Sequence, residues 1–193
     1  MPRPKLHSDE AILDAASAVL LERGLADYTL SDVAERVGLS RAAIIQRFEN
    51  KDGLLLRIAQ REVQLTREYL DSLPHEEGPA GLESFLRTIV ESMGSGADFS
   101  PRVQLAWAES RDPELRRLAG QRYQLVQDAI VARLPEMPMP NAIVARHLHA
   151  VIAGATMQWL ASDHPDLSAY VMESLATALH ILKSKLDISP PNL

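Results

Sequence analysis

Apolar residues recur along this chain at three- and four-residue intervals, and no stretch shows the sustained alternation of a strand. In the first segment Ile12, Ala15, Ala16, Val19 and Leu20 form one stripe, which predicts a helix from Ser8 to Arg23. Ser8 is placed to cap it, Asp9 and Glu10 fall where the helix dipole favours anions, and Gly24 supplies a left-handed stop. A second, short helix is predicted after Thr29. Thr29 and Asp32 have the spacing of a capping box, and Leu30, Val33, Ala34 and Val37 make the inner face. Gly38-Leu39-Ser40 breaks the pattern, and Ser40 caps a third helix over Arg41–Arg47, with Ile44 and Phe48 spaced to pack inward. Lys51-Asp52 opens a long fourth helix to about Leu73, carrying Leu54, Leu55, Ile58, Val63 and Leu65.

Beyond it, segments rich in helix breakers at 74–81, 94–101, 135–140 and 163–166 separate helices expected near 82–93, 101–111, 113–134, 141–162 and 166–186. Ser100 and Asp112 each stand before a proline, a common way to begin a helix. The expectation is an all-α chain of about nine helices. A three-helix helix-turn-helix domain (1–51) is joined by a long helix to a C-terminal helical bundle (52–193).

Composition narrows the chemistry. A content of 46% apolar residues supports a buried core, and 5% aromatics favours helix over strand. Cysteine is absent, which excludes disulfides, thiolate metal sites and a cysteine nucleophile. The opening Met1-Pro2-Arg3-Pro4-Lys5 leads straight into Ser8, Asp9 and Glu10, with no apolar signal region. The longest apolar run, Ala150 to Met157, is far short of the roughly 18 residues of a membrane helix. A soluble, cytoplasmic protein is expected. His147 and His149 are two apart and point to different helix faces, while His75 lies beside Glu76 and Glu77, so no metal or other cofactor is expected. Gly94-Ser95-Gly96 is too short to cradle a phosphate, and no GxSxG nucleophile motif occurs; catalysis is not expected.

Two short helices joined by a glycine turn and buttressed by a longer helix are the parts of a helix-turn-helix. The shape suits DNA because a helix fits the major groove, where base edges carry a full donor and acceptor code. Net charge is −6, and residues 1–51 hold seven Lys/Arg against eight Asp/Glu, so total charge does not argue for nucleic acid. A focused patch must carry any such binding.

The stretch Thr29-Leu30-Ser31-Asp32-Val33-Ala34-Glu35-Arg36-Val37-Gly38-Leu39-Ser40, then Ile44 and Phe48-Glu49-Asn50-Lys51-Asp52-Gly53-Leu54, closely resembles the TetR family of bacterial transcriptional regulators. The resemblance covers about residues 8–55. It implies that Arg41, Ala42 and Gln46 face base edges from the third helix, with Ser31 near the groove from the second. Arg47 and Lys51 would meet phosphates, as would Thr29, while Ser40 caps the helix beside the backbone. Arg41 and Gln46 have the chemistry to read guanine and adenine. Arg3 and Lys5, on a proline-stiffened arm, would reach the minor groove or phosphates. Where the family often carries Gly, Thr, Leu, Tyr and, one residue later, His, this chain has Ala42, Ala43, Ile44, Ile45 and Arg47. The hydroxyls that usually hold phosphates are missing, Arg47 stands as a substitute anchor, and Ile45 is left to touch a thymine methyl or a sugar.

A short reading helix buries too little for tight binding alone, so such modules act as dimers on two-fold sites. Ala150, Gly154, Met157 and Ala161 lie on one helix face suited to close approach, while Val144, Leu148, Val151, Ala155 and Trp159 form another, turned to the core. Val171, Leu175, Leu179 and Leu182 continue a stripe on the last helix, and the family implies a four-helix homodimer interface from this pair. The family also implies a ligand cavity between the fourth helix and that pair. Its candidate lining is Phe85, Ile89, Met93, Phe99, Val103, Trp107, Leu118 and Tyr123, with Met157 and Trp159. The expected function is a sequence-specific repressor, released from a pseudo-palindromic double-stranded operator by a small apolar or aromatic effector. The alternative is a DNA-binding protein whose C-terminal domain binds a protein partner.

Overall fold

The computed structural model describes residues 8–76, 78–94, 96, 99–137 and 139–186. Among these residues it has nine helices and no strand: α1 (Asp9–Asp27), α2 (Leu30–Arg36), α3 (Arg41–Phe48), α4 (Lys51–Ser72), α5 (Gly78–Glu91), α6 (Phe99–Arg111), α7 (Pro113–Val131), α8 (Asn141–Trp159) and α9 (Leu167–Leu186). The caps form where local chemistry places them. Ser8 Oγ accepts from the Ala11 N–H at 3.2 Å, Ser40 Oγ accepts from Ala43 at 3.1 Å, and Asp112 Oδ1 accepts from Glu114 and Leu115, each at 2.9 Å.

Three boundaries differ from expectation. Gly24 adopts φ 79°, ψ 164°, which is not the left-handed helical turn expected of it; the chain kinks there and resumes a short helical turn to Asp27. Helix α6 begins at Phe99, so Pro101 sits inside its first turn, where an amide N–H has no helical partner to lose. Helix α5 starts at Gly78, earlier than the apolar pattern alone suggests.

By packing, the chain falls into two compact units. The first comprises 1–68 and 98–122, the second 69–97 and 123–193, so α4 and α7 each contribute residues to both.

In the first unit α1 packs on α2 and α6, and α2 on α3. Their shared core holds Ile12, Ala16, Val19, Leu20, Tyr28, Val33, Ile44, Phe48, Leu54 and Ile58, joined by Leu115 and Leu118 of α7. In the second unit α8 and α9 pack most extensively, with α5 against α9. Phe85, Leu86, Val90, Ile130, Val144, Leu148, Ile152, Leu167, Val171 and Leu175 make its core. Arg133 is buried there and caps the end of α7. Nη1 donates to Ala129 O at 2.9 Å, Nη2 donates to Pro74 O at 2.8 Å, and the guanidinium lies 4.0 Å from the Phe85 ring centroid.

Also in the second unit, the Tyr123 and His149 rings meet edge-on at 5.4 Å, and burial pushes the His149 imidazole below its ordinary range. A group whose folded-state pKa is depressed contributes stability above its unfolded value and loses it as pH falls. The melting temperature is therefore expected to drop as pH is lowered from 7.5 to 5. A His149→Gln variant should show a flatter pH dependence in the same melting series.

Candidate nucleic-acid interface

The reading module is built from the α2–turn–α3 segment. Thr29 and Asp32 close a full capping box: Thr29 Oγ1 accepts from the Asp32 N–H at 3.2 Å, and Asp32 Oδ2 accepts from the Thr29 N–H at 2.9 Å and its hydroxyl at 2.7 Å. Those hydrogen bonds, ahead of the Arg23 guanidinium at 3.0 Å, hold the Asp32 carboxyl below its usual range. A two-pronged contact of Arg36 with Glu22, at 2.6 and 2.5 Å, ties α2 to α1. The turn itself needs Gly38. Its φ is +65°, and a Cβ there would meet nothing within 4 Å, so backbone conformation and not space demands the glycine. Leu39 N–H donates to Ala34 O at 2.9 Å, and the Leu39 side chain packs against the core.

The far side of the module is held by Tyr28. It is fully buried, and burial, with the Asp52 charge behind it, pushes its pKa up to about 12. It therefore stays protonated and donates to Lys51 O at 3.3 Å. The Lys51 ammonium lies 4.2 Å from the Tyr28 ring centroid and donates to Leu25 O at 3.0 Å. Asn50 Oδ1 accepts from the Gly53 N–H at 2.8 Å at the start of α4. The Tyr28 and Lys51 contacts tie the start of α4 to the end of α1 and to Tyr28 in the link before α2.

With Ile44 and Phe48 buried inward, α3 presents Ser40, Arg41, Ala42 and Gln46 on its exposed side. Thr29 and Ser31 of the preceding segment are exposed as well. Arg41 makes no ion pair among the described residues. An exposed cation, a small side chain and an amide on one face of a braced helix are what base-edge contact requires. Three other candidates are placed differently. Ile45 is half-buried and packs against the core, leaving part of its surface outward. Lys51 is half-buried in the Tyr28 contact. Arg47 is turned back toward α1, its Nη1 3.4 Å from Asp9 Oδ1 and its side chain only 20% exposed. Arg3 and Lys5 lie outside the described residues.

The unit that carries the helix-turn-helix has 15 Lys/Arg and 15 Asp/Glu, whereas the other has 5 and 11. The negative balance of the chain thus resides in the second unit, and the reading unit is neutral overall.

The remaining candidates divide between the units. Phe85 is buried, and Ile89, Met93 and Trp159 pack partly buried against the same core of the second unit. Arg133 covers one side of Phe85. Tyr123 is exposed and meets His149. Val103, Trp107 and Leu118 belong to the first unit, where Leu118 is sealed in the core and Trp107 is 67% exposed. The Phe99 side chain lies outside the described part. Met157 does not join a lining; it is exposed on α8 with Ala150 and Gly154, and Ala161 is exposed just past the helix end. On α9, Val171 and Leu175 are fully buried among their own neighbours and have no surface to give a partner. Leu179 and Leu182 are half-buried, and the exposed side runs through Glu173, Ala176, Thr177, His180 and Ile181. The apolar stripe at positions 171, 175, 179 and 182 is therefore the core side of α9, and the exposed residues between them face outward.

Among the described residues no group of three or more His, Asp or Glu is placed to hold a metal ion, and no helix is long and apolar enough to cross a membrane.

Comparison with known proteins agrees with this geometry. Residues 12–58 match the family described as bacterial regulatory proteins, tetR family. The chain is 29% identical over 154 residues to the HTH-type transcriptional regulator BetI of Stenotrophomonas maltophilia, covering 75% of this chain and 77% of that one. Its fold is shared with a transcriptional regulator from Rhodococcus sp. Rha1, with a TM-score of 0.78 and 20% identity over 95% of this chain and 100% of that one. It is also shared with SmeT, the repressor of the Stenotrophomonas maltophilia multidrug efflux pump SmeDEF, with a TM-score of 0.65 and 22% identity over 91% and 90% of the two chains. These relatives are named as regulators, which points away from an enzyme. The capped helices, the glycine turn and the exposed face of α3, together with these matches, identify the chain as a DNA-binding transcriptional regulator whose residues 12–58 are similar to the tetR family.

Proposed function

We propose that this protein is a cytoplasmic homodimeric repressor of a pseudo-palindromic operator, released when a small apolar or aromatic effector binds the domain of residues 52–193. The observation that carries the DNA half is the exposed row Ser40, Arg41, Ala42 and Gln46 on a helix whose other side is buried. Arg41 and Gln46 read bases, with Ser31 at the groove and Thr29, Arg47 and Lys51 toward the phosphates. Repression is the role named for SmeT, whose fold this chain shares, and supports the same sign of regulation by analogy.

The homodimer reading is supported by the outward side of α8, where Ile143, Ala150, Gly154 and Met157 are exposed at helical spacing. A stripe of small and apolar residues lets another helix approach closely, and the exposed side of α9 beside it widens the face. Effector binding is assigned to the second unit's Phe85, Ile89, Met93 and Trp159, which share one core. Because α4 and α7 contribute to both units, a change in that core can reach the reading helix along continuous helices.

Gly154 offers a clean test, because an added Cβ there meets nothing within 4 Å. Gly154→Arg should leave the protomer folded, with unchanged helicity, yet sediment as a monomer and bind two-fold DNA at least about tenfold more weakly. A variant that stays dimeric with full affinity would remove α8 from the interface. For the effector, a panel of neutral aromatic compounds should include some that weaken operator binding; none doing so would remove that half of the reading.

A further inference from the structure

Arg47 sits in the last turn of the reading helix, where a cation is well placed for a phosphate, yet its guanidinium reaches back to the first residue of α1. The contact is to Asp9 Oδ1 at 3.4 Å, with the Asp9 side chain 37% exposed. We propose that Asp9 is a brake on DNA affinity: its carboxylate competes with the DNA backbone for the Arg47 guanidinium, so the reading module binds less tightly than its cations allow. This rests on the reading of Arg47 as a phosphate ligand.

The chemistry follows from what a guanidinium binds. Carboxylate and phosphate present the same pair of anionic oxygens to the same fork of N–H donors, so one can take the place of the other. Elsewhere in the module Arg36 grips Glu22 with both prongs at 2.6 and 2.5 Å, whereas the Arg47–Asp9 contact is longer and made through one Nη. A partly exposed contact of that kind is open to exchange. A phosphate arriving at Arg47 also comes close to the Asp9 carboxylate and is repelled by it. An arginine already neutralised by a carboxylate releases fewer counterions when it meets DNA, which makes the salt dependence shallower than the number of cations suggests.

The test is a double-mutant cycle on the full chain, using duplex DNA of mixed sequence because phosphate contacts do not depend on sequence. Asp9→Asn should tighten binding by about threefold to tenfold and steepen the slope of log K against log salt by about one. Arg47→Gln should cost little in the parent background but cancel the whole gain when combined with Asp9→Asn, so the two changes are strongly non-additive. Thermal melting of each variant confirms the fold, and Asp14→Asn, which removes a carboxylate paired with Arg61 at 2.6 Å, controls for a general loss of negative charge. Tightening that persists in the presence of Arg47→Gln, or that Asp14→Asn matches, would overturn the brake. Weaker or unchanged binding in Asp9→Asn, with Arg47→Gln harmful in both backgrounds, would overturn it too while leaving Arg47 as a phosphate ligand. If Arg47→Gln is silent in both backgrounds, the phosphate reading of Arg47 fails and the brake falls with it.

Discussion

Gly53→Ala is expected to cost more than about 3 kcal/mol and to abolish DNA binding, although Gly53 lies in the first turn of a helix where alanine is normally favoured. A Cβ built on Gly53 would stand 2.2 Å from the Phe48 carbonyl oxygen, far inside any van der Waals contact. The obstruction is backbone, so no rotamer change relieves it; the α3–α4 turn itself must shift. That turn is already constrained. Glu49 has φ 66° without being glycine, and Asn50 Oδ1 is committed to the Gly53 N–H. For a chain of this length the loss corresponds to a melting temperature lower by roughly 6–12 °C. Because Phe48 ends the reading helix, its exposed face would be re-aimed even where the fold survives. Differential scanning calorimetry together with a binding isotherm checks both parts. An unchanged melting temperature would show that the turn is softer than its contacts indicate.

Arg41→Ala carries the second large effect, on function and not on stability. The side chain is exposed, so its removal should leave the stability within about 0.5 kcal/mol of the parent. A bidentate contact to a guanine edge is worth about 1–3 kcal/mol, which predicts a loss of about tenfold to a hundredfold at each half-site. The loss should be sequence-dependent: affinity for mixed-sequence DNA should fall far less, because phosphate contacts supply most of that binding. Arg87→Ala on α5, which removes a cation paired with Glu83, should change neither. Equal losses on specific and mixed DNA would make Arg41 a phosphate contact.

Helix positions and caps were legible in the sequence because their chemistry is local. Ser8, Thr29 with Asp32, Ser40 and Asp112 bond to amides two to three residues away, within reach of a pattern read along the chain. The exposed reading face was legible for the same reason, since burying Ile44 and Phe48 leaves Arg41, Ala42 and Gln46 outward. What escaped depended on contacts between distant positions. Nothing near Arg47 announces that it will meet Asp9, 38 residues earlier, and nothing near Lys51 shows that its ammonium will turn to Leu25 O and the Tyr28 ring. Glutamate has no preference for positive φ, so Glu49 gave no signal. Helix α6 and the first part of α7 could not be assigned from sequence to the packing unit of the helix-turn-helix, because an apolar stripe says that a face is buried without saying against what. The same gap explains α9, where the apolar stripe suggested a partner but Val171 and Leu175 are buried within the chain's own core.

The central claim, that this chain reads a two-fold DNA site through α3, is tested most directly by selecting bound duplexes from a random pool. The selection should enrich a symmetric site whose half-sites lie about one helical turn or a multiple of it apart, with bases in each half-site that lose their preference in Arg41→Ala. Failure to enrich any sequence, or enrichment of one without two-fold symmetry that Arg41→Ala binds equally well, would contradict it.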